Sequence, residues 1–183
     1  SYPTSWLESD FYCCKDDYDY YAHSETIALD GDFDYSNQLV GYEDSRFFHN
    51  GKSAPSGFVG TGLLSAPFVY MGNLFNKAFP NNSMYNFIVI FYSLSSLFYL
   101  TFTFLIFNKI NSLLGNKVHP YLIHLYILGS GVGYFVFERY SMTHVYEIFS
   151  ISLVVYFTIK YRDSKSSYHA FIIPILVLLS ILT

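Results

Sequence analysis

Residues 84–107 contain no charged side chain. A helix needs about 20 mostly apolar residues to cross a bilayer, so this run is long enough, and no other feature constrains the chain as strongly. Residues 118–137 and 142–159 follow the same rule, and residues 169–183 begin a fourth apolar run. Pro120 falls in the first turn of the second run, where a missing N–H costs nothing. The third run carries one charged side chain, Glu147. The chain is 52% hydrophobic, 21% aromatic and only 13% charged, against about 25% charged in a soluble domain. The expected fold is an all-α membrane protein. Its transmembrane helix bundle (84–183) is antiparallel, because the connections are short. An extracytoplasmic loop with short surface helices (1–83) precedes it.

Charge is distributed unevenly. Eleven of the 14 acidic residues lie before residue 78, and the net charge of -4 therefore sits in the first half. Nucleic acid is excluded as a partner, since it needs a basic patch. Basic residues gather instead in two short loops. Lys109 and Lys117 occupy one, and Lys160, Arg162 and Lys165 the other. The positive-inside rule puts both on the cytoplasmic face. Residues 1–83 and the loop at 138–141 then lie outside, which suits an integral protein of a bacterial inner membrane. The chain stops inside an apolar run, so truncation at both ends is expected, with an upstream span missing. Cys13 and Cys14 are adjacent and have no metal-ligand spacing. They read as ordinary small residues.

Within the first segment, residues 17–29 read as a short helix. Asp16 is placed to cap it, and Gly31 to end it. Residues 30–34 read as a turn into an extended piece, and 53–62 as a loop rich in Gly, Ser and Pro. Residues 62–75 are apolar but contain Pro67. They read as one or two helices lying along the membrane surface. The run Gly129-Ser-Gly-Val-Gly133 suggests close helix packing through small residues. His124, in the middle of a span, reads as an interhelical hydrogen-bond partner. Asn81-Asn82-Ser83 matches a glycosylation acceptor triplet, which has meaning only in a eukaryotic lumen.

Three polar features share the outer side: Asp16-Asp17, Glu138-Arg139, and the pair His144 and Glu147 on one helix face. A carboxylate inside a span is costly and marks a functional site by default. An interfacial residue reaching water is the alternative for Glu147 and for His144. Helix capping plus a solvated surface is the alternative for the two aspartates. If the outer face carries a site, Asp16 or Asp17 is expected to approach Glu138, His144 or Glu147.

The segment from Asp16 to Tyr35, with its Asp30-Gly-Asp-Phe-Asp34 block, resembles the first extracytoplasmic loop of GT-C glycosyltransferases. These polytopic enzymes include protein O-mannosyltransferases and aminoarabinose transferases. Gly60-Thr-Gly-Leu-Leu-Ser-Ala-Pro-Phe68 and Ser141-Met-Thr-His144 resemble later elements of that family, in the same order. The family's usual Glu is replaced here by Asp17, and its usual proline motif before the Leu-Leu stretch is only Pro55-Ser-Gly57.

The resemblance implies transfer of a sugar from a polyprenyl-phosphate carrier, with inversion at the anomeric carbon. A carboxylate would deprotonate the acceptor hydroxyl. A cation, either a basic side chain or a divalent metal, would stabilise the leaving phosphate. Asp16 is the candidate base, with Asp17 beside it and Glu138 as a further acidic residue. Arg139, Lys52 and Arg46 are candidate phosphate ligands, with His144 and Glu147 at the substrate site. Membrane lipid is a further partner, and the resemblance names no acceptor. The rival readings are a transporter or channel subunit using the His144/Glu147 pair, and a non-catalytic membrane protein.

Overall fold

The computed structural model describes residues 15–39, 48–80, 86–115 and 118–183. Arg46, Lys117, Cys13, Cys14 and the triplet at 81–83 lie outside them. The described residues are almost wholly helical. Helix α1 (Lys15–Glu25) continues as a π-helical turn over Thr26–Asp30. A two-residue hairpin follows, β1 (Phe48–His49) against β2 (Lys52–Ser53). Then come α2 (Val59–Ala78), α3 (Phe87–Leu113), α4 (Pro120–Gly129), α5 (Gly131–Phe137), α6 (His144–Ser164) and α7 (Ser167–Leu182).

The expected helix at 17–29 is present, and Gly31 ends it with φ 72° and an N–H donated to the Thr26 carbonyl. Asp16 sits inside the first turn, not at the cap. The acidic block that follows builds its own turn. Asp30 Oδ2 accepts from Asn37 and Gln38 at 3.0 and 2.6 Å. Asp32 Oδ1 accepts from Thr26 Oγ1 and from the Asp34 N–H.

Residues 59–78 form one helix where one or two were expected. Pro67 lies inside it, on the exposed side. The Leu63 carbonyl that loses its partner is also at an exposed position, where the lost bond costs least. The inner face of α2 is a stripe of small residues: Gly62, Ser65, Ala66, Val69 and Gly72. A Cβ on Gly62 would stand 2.3 Å from His23 Cβ. Only glycine permits α1 to lie this close.

Helix α3 is long and apolar enough to cross a membrane. Its outward stripe is Ile90, Leu94, Phe98, Phe102 and Leu105, all exposed. Its inward stripe carries hydroxyls that bond other segments. Ser95 Oγ meets the Tyr146 hydroxyl at 2.6 Å, Ser96 donates to the Val136 carbonyl, and Tyr99 donates to the Leu64 carbonyl at 2.7 Å. The buried side of α3 thus mixes these hydroxyls with Ile88, Leu100, Ile106 and Ile110.

The expected second span is not one straight helix. The chain bends by 73° between α4 and α5, and only the two halves together pass as a span. Ser130 Oγ accepts from the Val132 N–H and caps α5. A Cβ on Gly133 would come within 2.3 Å of the Leu128 carbonyl oxygen, so this glycine lets α5 fold back against the end of α4. The glycine-rich run is therefore a break, and not the helix-packing seam its composition suggests. Helix α6 is long enough to span but not apolar enough, and α7 is apolar but short. His124 stacks on Phe104 with ring centres 4.4 Å apart. Its Nε2 has no hydrogen-bond partner among the described residues, so its interhelical contact is stacking rather than the expected hydrogen bond at that nitrogen.

Glu25 gives a stability prediction. Burial, then the nearby Asp30 charge, push its carboxyl up to about 7, while a bond from Tyr21 works the other way. The folded state thus holds a proton that the unfolded state, near 4.5, has released. This contribution falls as pH rises from about 4.5 to 7 and is flat above. Glu25→Gln is expected to match wild type below pH 4.5 and to be more stable above pH 7, by at most about 3 kcal/mol. The difference between the two thermal melting profiles measures it, and equal profiles at every pH would refute it.

Candidate functional site

Helix α1 presents three faces, each tied to a different part of the chain. Positions four apart share a face. Asp17, Tyr21 and Ser24 point inward. Tyr21 packs edge-on to Tyr92 of α3, and Ser24 Oγ meets Ser65 Oγ of α2 at 2.6 Å. Asp17 is buried, and its Oδ1 accepts from Arg139 Nη2 at 3.1 Å and from Ser141 Oγ at 2.5 Å. These partners lie more than 120 residues away along the chain. The Asp17 charge also raises the pKa of the neighbouring Tyr140, after burial, which contributes more.

A second face carries Asp19 and His23, both buried. Asp19 Oδ2 accepts from the Ser56 N–H at 3.1 Å and from its hydroxyl. His23 Nε2 lies 3.0 Å from the Gly57 carbonyl, and its Nδ1 lies 2.8 Å from the Tyr35 hydroxyl. A carbonyl only accepts, so Nε2 carries the proton and Nδ1 accepts from Tyr35. Burial lowers the His23 pKa and favours this neutral form. Burial, followed by the Asp32 charge, raises Tyr35 to about 12. This face clamps the 55–57 segment onto α1.

The third face carries Asp16 and Tyr20. Asp16 is exposed. Tyr20 is half-buried. Its pKa is raised by burial first, then by the charges of Asp16, Asp19 and Glu147, while the Thr143 side chain lowers it slightly. Two carboxylates of α1 and one of α6 thus act electrostatically on the Tyr20 hydroxyl. Glu147 in turn stands 3.6 Å from His144 Nδ1, with the two side chains 47% and 42% exposed.

The sequence-derived site residues therefore divide. Asp17 and Arg139 are brought together directly, while Asp16 lies exposed on another face of α1 and Glu147 stands beside His144. Arg139, expected to face phosphate, bonds Asp17. Glu138 is exposed at the end of α5 and makes no side-chain contact to either aspartate among the described residues. Lys52 is exposed in the hairpin, lining a separate pocket of about 260 Å³ with Asp34 and Tyr35. Arg46 lies outside the described residues. No group of three or more His, Cys, Asp or Glu side chains able to hold a metal occurs among the described residues.

Tyr20, Ser141 and Thr143 escaped the sequence reading. Two of them belong to Ser141-Met-Thr-His144, where attention fell on the histidine. The Ser141 hydroxyl makes the bond to Asp17. Comparison of the chain with protein-family models, with curated proteins and with solved structures finds no match to any of them.

Proposed function

We propose that this chain forms the outer loop and following spans of a membrane glycosyltransferase. It would move a sugar from a polyprenyl-phosphate carrier to an acceptor on the extracytoplasmic side, with Asp16 as general base. The observation that carries this reading is the docking of α1 on the 139–143 segment. The bonds of Asp17 to Arg139 and Ser141 hold the two together. They leave Asp16 exposed on a fixed helix rather than on a mobile loop. A base is effective when it is fixed within reach of the proton it takes. An exposed carboxylate beside a tyrosine hydroxyl meets that demand.

In this reading the apolar outward stripe of α3 faces lipid. The bent α4–α5 pair, α6 and α7 complete an antiparallel bundle in a bacterial inner membrane. The basic loops face the cytoplasm. Labelling with an impermeant thiol reagent on intact cells tests the topology. In a background with Cys13 and Cys14 replaced by serine, cysteine at exposed Phe33 is expected to react, and cysteine at exposed Ser112 is not. Labelling of Ser112→Cys from outside would overturn the orientation.

The rival reading, an ion or proton path through His144 and Glu147, draws on their pairing. The pair sits in the first turn of α6 and is about half exposed, a poor place for a relay through a membrane core. Glu147→Gln separates the readings. A transporter would lose uptake, whereas the transferase reading expects transfer to depend on Asp16.

A further inference from the structure

A cavity of about 500 Å³ opens between α5 and α6, beside the 73° bend. Val132, Phe135, Ile148 and Ile151 form its apolar wall, and His144 and Glu147 line the same cavity. Its size falls in the range of small-ligand sites, and such sites combine apolar walls with a few placed polar groups. Among the described residues that line it, none is Lys or Arg. Phe135 and Glu147 both line it, with the Phe135 ring packed 4.0 Å from the His144 ring, so an aromatic ring and a carboxylate share one wall. An anionic head group here would meet the Glu147 carboxylate as a like charge. A cationic one would gain both the carboxylate and the aromatic face.

We propose that the α5–α6 cavity binds an amphiphile with an ammonium-type head. The alkyl chain lies along Val132, Phe135, Ile148 and Ile151, and the head meets the Glu147 carboxylate. The proposal does not depend on sugar transfer, and its test contains no transfer step.

The test uses three photoreactive C12 probes that differ only in the head: trimethylammonium, phosphate and maltoside. Each is added at pH 8 to the whole protein in maltoside detergent, and the labelled peptides are mapped by mass spectrometry. The ammonium probe is expected to label residues 132–151 about tenfold more than the phosphate probe. Glu147→Gln is expected to remove that preference while leaving maltoside labelling unchanged. Ile151→Trp fills the cavity and is expected to lower ammonium labelling with Glu147 intact. Circular dichroism confirms that each variant keeps its helix content. Equal or stronger labelling by the phosphate probe would overturn the proposal. So would an ammonium preference that survives Glu147→Gln, or ammonium labelling that persists in Ile151→Trp.

Discussion

Asp16→Asn is expected to lower the proposed sugar transfer by about 10² to 10⁴, the usual cost of losing a positioned general base. Asparagine keeps the shape and much of the hydrogen bonding but cannot take a proton. Asp16 is exposed and its neighbour Asp17 holds the helix. Melting temperature and membrane level are therefore expected to stay at wild-type values. Asp30→Asn is the control: that carboxylate accepts from Asn37 and Gln38 and shapes the turn, so transfer is expected to fall much less. The readout is label moved from a radiolabelled polyprenyl-phosphate sugar, with protein level checked by immunoblot. Wild-type activity in Asp16→Asn would remove the assignment.

Asp17→Ala is expected to destabilise the docking of α1 by about 3 kcal/mol. Removing one member of a buried ion pair leaves its partner charge poorly compensated. The Asp17 side chain is 2% exposed and that of Arg139 is 20%, so water reaches only one end of the pair. The double variant Asp17→Ala with Arg139→Met is expected to recover a large part of the loss, since it removes the stranded charge. Thermal unfolding in detergent measures both, and protease cutting between α1 and α2 reports the docking itself. An Asp17→Ala protein as stable as wild type would show that the pair does not hold the loop.

The two aspartates thus do different work, which adjacency in sequence does not reveal. Successive residues on a helix point about 100° apart, so one faces inward and the other outward. The sequence reading found the helix, since Gly31 and the acidic first turn mark its ends. It could not find which partner each carboxylate takes. Arg139 and Ser141 are local neighbours of Glu138 and His144 in sequence, and only the packing of α1 on α2 and α3 selects them.

The apolar run of α3 was legible because twenty-odd uncharged residues admit few alternatives. The break between α4 and α5 was not read, although a signal existed. Ser130 between two glycines is a helix N-cap as much as a packing seam, and hydropathy alone cannot separate the two. Pro67 left open one helix or two, and the structure has one, because a proline on an exposed helix face can be accommodated without ending the helix. Tyr20 and Thr143 carry no signal in a chain with 19 tyrosines. Their meaning comes from position against α6, a long-range contact.

The central claim is that Asp16, held on the docked α1 helix, serves transfer from a polyprenyl-phosphate sugar. The most direct measurement follows release of radiolabelled sugar from that carrier in three membrane preparations: wild type, Asp16→Asn, and membranes without the protein. The account predicts release in wild type alone, with a product of inverted anomeric configuration by NMR. Equal release in all three, or a product with retained configuration, would contradict it.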